Sequence, residues 1–325
     1  KAWLQIDYKM NNRIIQGKKI LVTGGAGFIG SNLIKALVNQ NNQVICFDNL
    51  ATGHLKNIEP FLELSNFSFI KGDIRNLETC LGATKGVDIV LHQAALGSVP
   101  RSINDPITTN EVNITGFINM LWAAKENSVS RFVYAASSST YGDSEKLPKI
   151  EEEIGMPLSP YAVTKYVNEL YAHVFGLNYG LETIGLRYFN VYGRKQSPNG
   201  AYAAVIPKFI ESFINHESPK INGDGSNSRD FTYIDDIVEG IIRVMQTPPK
   251  EIEPMHRVLN IGNNNPEKLM VFINTLEQCL SNSLKRTVEF EKIYEPIKPG
   301  DVHKTYASTK ALESLTGYKP KTLIK

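Results

Sequence analysis

Apolar residues gather along the chain in short runs separated by stretches of helical spacing. KKILVTG (18–24) is β-rich and closes on glycines, SNLIKALVNQ (31–40) continues at helical period, and QVICFDN (43–49) reads as a second buried strand. Together they predict a β-α-β unit. FSFIKGDI (67–74), VDIVLHQAA (87–95), RFVYAASSS (131–139) and LETIGLRYFNVYG (181–193) are further strand-like runs, the first three ending in small or polar residues, with helical stretches such as NITGFINMLWAAKEN (113–127) between strands. Such alternation predicts an α/β fold built on a doubly wound parallel sheet.

Beyond Asn190 the pattern loosens into a loop, NGDGSNSRDF (222–231), and a mixed stretch carrying Pro248, Pro249, Pro254 and Pro266. Two regions are therefore expected, a Rossmann domain over 17–189 and a smaller α/β lobe over 190–325, with the strand near 258–262 (VLNIG) returning to the first sheet.

Composition narrows the class. At 325 residues, 42% hydrophobic and 21% charged, the chain can bury an enzyme-sized core. A net charge of +2 without a Lys/Arg run or an aromatic-basic stripe points away from nucleic acid and membrane surfaces and toward a small-molecule partner. Cys46, Cys80 and Cys279 lie far apart without metal-ligand spacing, and the histidines, His92 among them, form no cluster; no metal is assigned. No 18-residue apolar run occurs and the first residues are too polar for a signal peptide, so a cytoplasmic location is expected.

Four segments carry candidate chemistry. VTGGAGFIGSN places Gly24, Gly27 and Gly30 between a strand and a helix, where a turn without side chains lets a pyrophosphate approach the free N–H groups of a helix N-terminus. Asp48 ends the second strand 18 positions after Gly30, near the ~20-residue separation at which an acid accepts ribose hydroxyls and repels a 2′-phosphate, which favours NAD over NADP. GDI (72–74) and HQAALG (92–97) put Asp73 and Ile74 beside an adenine and Ala94 and Ala95 along the cofactor. In LSPYAVTKYVNELY (158–171), a helix starting near Pro160 stacks Tyr161 and Lys165 on one face. A cation close to the phenol oxygen is expected to lower its pKa from ~10 toward neutrality and make Tyr161 a base, with Ser137 of YAASSSTYG (134–142) sharing the proton.

Taken together, TGGAGFIG, Asp48, the serine cluster and Tyr161-x-x-x-Lys165 resemble the extended short-chain dehydrogenase/reductase family over nearly the whole chain. RYFNVYG (187–193) and GDGSNSRDF (223–231) resemble segments that grip a nucleotide diphosphate in its nucleotide-sugar epimerases. HQAALGSVPRS, AASSSTYGD and SPNGAYAAVIP are similar to the bacterial UDP-N-acetylglucosamine 4-epimerases.

That resemblance implies reversible C4 epimerisation of UDP-N-acetylglucosamine through a 4-keto sugar, with tightly bound NAD and a homodimer joined by helices near Ile107–Glu126 and Tyr161–Tyr179. It implies Tyr161, Lys165 and Ser137 as the catalytic set. Cofactor contacts are implied for Gly24, Gly27, Phe28, Ile29, Gly30, Asp48, Asn49, Thr52, Gly53, Asp73, Ile74, Gln93, Ala94, Ala95 and Tyr188 as well. Substrate contacts are implied for Gly97, Ser98, Ser138, Ser139, Asn190, Ala204, Val205, Arg229, Lys298, Asp301 and Thr305. Thr305 stands where glucose-restricted relatives carry a bulky Tyr, leaving room for an N-acetyl group, and Lys298 stands where an Arg is usual, so Arg229 is the stronger diphosphate ligand.

A 4,6-dehydratase would need an acid pair within SSSTYG, and Asp143 and Glu145 lie beyond its glycine; a uronic acid or plain-glucose 4-epimerase shares the whole motif set; and an NAD-binding sensor would not need Tyr161, Lys165 and Ser137 together.

Overall fold

The computed structural model describes residues 15–197, 205–215, 217–248, 255–296 and 303–324. Seven strands make one parallel sheet: β1 (Lys19–Thr23), β2 (Gln43–Asp48), β3 (Phe67–Lys71), β4 (Ile89–His92), β5 (Arg131–Ser137), β6 (Thr183–Tyr188) and β7 (His256–Ile261). Their spatial order is β3-β2-β1-β4-β5-β6-β7, which reverses direction between β1 and β4. In a doubly wound sheet that switch point opens a crevice at the strand C-terminal ends.

The strands are apolar on both faces because both are covered. Ile20 and Val22 of β1 share a core with Leu33, Ile34 and Leu37 of α1 (Phe28–Val38), and Leu21 between them turns to Phe132 and Tyr134 on the opposite face. All three β1 residues are fully buried, each contributing about 1.5–3 kcal/mol by leaving water. The second face is closed by α2 (Leu77–Ala83), by α5 (Gly116–Glu126) through Phe117, Met120 and Leu121, and by α6 (Pro160–Tyr179) through Ala172 and Phe175.

Between β4 and α5 run α3 (Val99–Asn104), α4 (Pro106–Asn110) and one π-helical stretch, Glu111–Thr115, that leads directly into α5. A π turn widens the helix by one residue, and here it turns Asn113 inward.

After β6 the chain builds a second, smaller core from Ile206, Phe209 and Phe213 of α7 (Val205–Ile214) and Phe231, with Leu269, Phe272 and Ile273 of α9 (Leu269–Leu284). Two short strand pairs brace this lobe, Lys220–Asn222 with Ile293–Glu295 and Ser228–Arg229 with Glu267–Lys268. In between, the chain crosses back: α8 (Ile234–Met245) buries Ile237 and Ile241 in the same core as α1, and β7 pairs with β6 from His256↔Thr183 to Ile261↔Tyr188. The helix α10 (Lys310–Thr316) adds Leu312 to that core. Segments beyond residue 190 therefore belong to both cores.

Candidate active site

The first β-α turn is a cradle that side chains would fill. A Cβ on Gly30 would lie 2.3 Å from the Gly24 carbonyl oxygen, and one on Gly24, whose φ is +65°, would lie 2.7 Å from the Ala94 amide. Gly27 caps α1 with no side-chain hydrogen bond, leaving the N-terminal N–H groups to an incoming anion. Phe28 and Ile29 begin α1 half-buried against the core.

Asp48 closes the cradle's far side. Its carboxylate accepts from Ala26 N at 3.0 Å and Leu50 N at 2.7 Å, and Gly53 approaches so closely that a Cβ there would meet Oδ2 at 2.9 Å. Burial raises its pKa, and those two backbone donors and His54 pull it back. Thr52 is exposed on the same turn. Asn49 donates to Asp73 at 3.0 Å, and Asp73 is also gripped by Arg75, which holds its carboxyl well below the usual range. Ile74 is buried against Gly116, so its side chain serves the core. At the end of β4, Gln93 accepts from the Tyr188 hydroxyl at 2.8 Å while its own Nε2 is buried without a partner, and Ala94 N donates to Thr23 Oγ1 at 3.2 Å, with Ala95 following it. A glycine cradle, a ribose-facing acid and an orphaned buried donor at one crevice fit NAD.

The helix α6 starts as its sequence predicts: Ser159 accepts from Ala162 N at 3.2 Å and Pro160 occupies the first turn. Tyr161 and Lys165 share the face turned toward β5. Lys165 is buried and donates to Ala135 O at 2.7 Å, and Ser137, two residues on, stands near Tyr161 and favours its ionised form against burial.

The electrostatics correct one expectation. Lys165 does not lower the Tyr161 phenol through the chain's own groups. Burial raises Tyr161, and the nearby Ser137 opposes it; the Lys165 ammonium sits 6.0 Å from the ring centroid and is committed to a carbonyl. Lys165 is itself pushed down to about 8 by burial, with Glu169 opposing.

Beside Tyr161 lies a cavity of about 250 Å³ lined by Ser138, Ser139, Asn190, Arg229 and Thr305, together with Val99, Tyr141, Lys149 and Lys304. Asn190 donates to Thr305 Oγ1 at 2.8 Å, which ties the end of β6 to the C-terminal segment. Arg229 donates to the carbonyls of Ser228 and His303. Ser98 is used differently from the expectation: its hydroxyl caps α3 by accepting from Arg101 N at 3.2 Å, and the cavity wall there is Val99. A Cβ on Gly97 would meet nothing within 4 Å, so the space beside it is open. Ala204, Lys298 and Asp301 lie outside the described residues, and of Val205 only the backbone position at the start of α7 is described.

Several residues that hold the site gave no signal in the sequence. Asn113 bonds both backbone groups of Leu96 and donates to Thr164 on α6, while Asn168 donates back to Asn113 O at 2.7 Å. Arg187 is committed to Glu169, with which it forms a buried two-bond pair at 2.8–2.9 Å. Asp230 is buried beneath Thr305, accepting from Ala307 N and Asn264 N, and burial lifts it to about 6. Each is a lone polar residue whose partner is remote in sequence, so no local spacing marks it.

Comparison with known proteins agrees with this geometry. The family model described as NAD dependent epimerase/dehydratase matches residues 20–262, and the chain belongs to that family. It is 36% identical over 330 residues to protein CapI of Staphylococcus aureus, covering 94% of this chain and 95% of that protein. Among solved structures, a UDP-N-acetylglucosamine 4-epimerase from Methanobrevibacter ruminantium in complex with UDP-N-acetylmuramic acid is similar at TM-score 0.84 and 35% identity, over 94% of both chains. UDP-glucuronic acid 4-epimerase from Bacillus cereus, in complex with UDP-glucuronic acid and NAD, is similar at TM-score 0.82 and 30% identity, over 95% of both. The class defined by fold, site and relatives is an NAD-dependent nucleotide-sugar epimerase.

Proposed function

We propose that this enzyme interconverts UDP-N-acetylglucosamine and UDP-N-acetylgalactosamine by reversible C4 epimerisation. The observation that carries the reading is the Asn190–Thr305 hydrogen bond, which closes the cavity with a small side chain where a larger one would take the space of an N-acetyl group. When bound, NAD supplies a hydride acceptor that returns the hydride and a fixed positive charge near the reacting atoms. The glycine cradle, Asp48, Gln93, Tyr188 and Lys165 would hold it.

Tyr161 removes the O4 proton and returns it after the 4-keto sugar has presented its other face. Ser137, at the end of β5 near Tyr161, orients the alcohol and shares its proton. Ser138, Ser139 and Asn190 offer hydroxyl and amide partners to both sugar orientations, and Arg229 anchors the diphosphate about which the sugar turns.

The reading includes a homodimer through α4, α5 and α6. Ile107, Trp122, Leu170, Val174, Leu177 and Tyr179 leave a broad apolar surface there, with Ile107 73% exposed. Size-exclusion chromatography of Leu170→Glu/Val174→Glu checks this part: a monomer is expected, and an unchanged elution volume refutes it.

Proton NMR of UDP-N-acetylglucosamine with the NAD-loaded protein, and UDP-glucose in parallel, tests the activity. Appearance of the axial-hydroxyl product from the acetylated sugar, with little from the plain one, is expected. Conversion of the plain sugar alone refutes the substrate assignment.

A further inference from the structure

One short segment runs from the cavity beside Tyr161 to the glycine cradle. It starts at Asn190, which lines the cavity, pairs Val191–Tyr192 in parallel with Thr232–Tyr233, and turns at Gly193, where φ is +145° and a Cβ would lie 2.4 Å from Ile234. From there it meets α1. Asn32 Nδ2 donates to Phe28 O at 2.9 Å and to Arg194 O at 3.1 Å, which ties the segment to the first turn of the helix that faces the cradle.

Lys195 follows in the left-handed region, at φ +67°, a conformation that is costly for a residue with a side chain and persists only where the surroundings hold it. Its side chain reaches far across the chain. Although the residue is exposed overall, its ammonium donates to Asn57 O at 2.7 Å, 138 positions away in sequence, and stands 5.5 Å from the centroid of the buried Phe61 ring. Burial, with the like charges of Lys35 and Arg194, pushes that ammonium down to about 8. Arg194 has Asp235 as a partner at 3.0 Å, whereas Lys195 is held by the carbonyl and the ring.

Asn57 belongs to the turn that closes the cradle. Two short 3-10 pieces, Leu55–Asn57 and Glu59–Phe61, follow Gly53, and the turn is seated on Ala26 O, which accepts from His54 N at 3.0 Å and from Asn57 Nδ2 at 2.9 Å. Ala26 is itself part of the cradle, and its N–H donates to Asp48. On the outer side of the turn Leu55 and Leu62 are exposed, so packing holds it weakly there and a bond from the second half of the chain counts for more.

We infer that Lys195 is a positioning residue for the cofactor: it latches the 53–61 turn onto the cradle and Asp48 and so slows the departure of NAD. This role concerns retention of NAD and holds whichever sugar the enzyme turns over.

Exchange of bound NAD against isotopically labelled NAD, read by mass spectrometry on the full chain, tests the latch in the wild type, Lys195→Met and Lys195→Gln. Met keeps an apolar stem beside Phe61 without donor or charge, and Gln keeps a neutral donor. Loss of a hydrogen bond from a charged donor is expected to speed exchange by about tenfold in Lys195→Met, and by less in Lys195→Gln. A second readout separates a latch from ordinary packing. The rise in melting temperature that a fixed NAD concentration gives should be smaller in Lys195→Met than in the wild type, because that rise follows affinity for NAD whatever the stability of the NAD-free chain. Unchanged exchange in Lys195→Met, or in Lys195→Gln where the Met variant does not fold, overturns the latch. An equal rise with NAD in variant and wild type makes Lys195 a packing residue and overturns it too.

Discussion

Lys165 donates its buried ammonium to the carbonyl of Ala135 at 2.7 Å, two residues before Ser137 on the same strand. That bond seats the first turns of α6 against the end of β5 and brings Tyr161 to the Ser137 hydroxyl. Lys165 thus acts on Tyr161 by placement, while burial alone raises the phenol.

Tyr161→Phe removes the proton carrier and keeps the ring that α6 packs. Turnover measured by NMR should fall by about 10²–10⁴, the usual range for a positioned acid-base group. Bound NAD, read by absorbance after denaturation, should be retained. Near-wild-type turnover would remove Tyr161 from the mechanism.

Thr305→Tyr places bulk beside Asn190. The ratio of kcat/KM for UDP-N-acetylglucosamine to that for UDP-glucose should drop by roughly tenfold or more, because the larger sugar alone needs the space. An unchanged ratio would show that the N-acetyl group lies elsewhere.

Gly30→Ala drives a methyl to 2.3 Å from the Gly24 carbonyl oxygen. Overpacking of this kind costs about 1–3 kcal/mol, and the shift it forces spoils the cradle. Reduced melting temperature and a purified protein depleted of NAD are expected. Full NAD content would count against the cradle as the pyrophosphate site.

Arg187→Met strands Glu169 in the core. Removing one member of a buried pair costs about 3–5 kcal/mol, so a melting temperature lower by on the order of 10 °C is expected. Arg187→Met/Glu169→Leu should recover much of that loss in calorimetry. If the double variant were no better than the single, the pair would have no special coupling.

Asp230 makes a pH prediction. Its pKa is raised from 3.8 to about 6 in the folded chain, so the folded state binds the proton more tightly than the unfolded state. The stabilisation from that proton is fully present below pH 3.8 and is lost as pH rises through about 6. Against Asp230→Asn, the wild-type chain should lose up to about 3 kcal/mol of relative stability across that window. Denaturant titrations of both at pH 4, 5, 6 and 7 measure it, and parallel curves would disprove it.

Much was already written in local patterns. Strands buried on both faces, the Gly24–Gly30 spacing, Asp48 at a strand end and Tyr161 one turn before Lys165 are short-range features, because a strand has period two and a helix 3.6, and both can be read within a few residues. The return of β7 to the sheet was legible for the same reason: VLNIG is apolar enough to require burial on both sides.

Tertiary structure alone decided how these parts act. Ala135, not the phenol, receives the Lys165 ammonium; Arg187 pairs with Glu169; Ser98 caps a helix; and Asn113 and Asp230 stand at the site from segments up to 77 residues from their partners. Hydrogen bonds and buried charges depend on geometry at the scale of ångströms between remote residues, and on how far each group has left water. Neither quantity is local to the chain, so the sequence determined the scaffold and its candidate chemistry, and folding determined which charges meet.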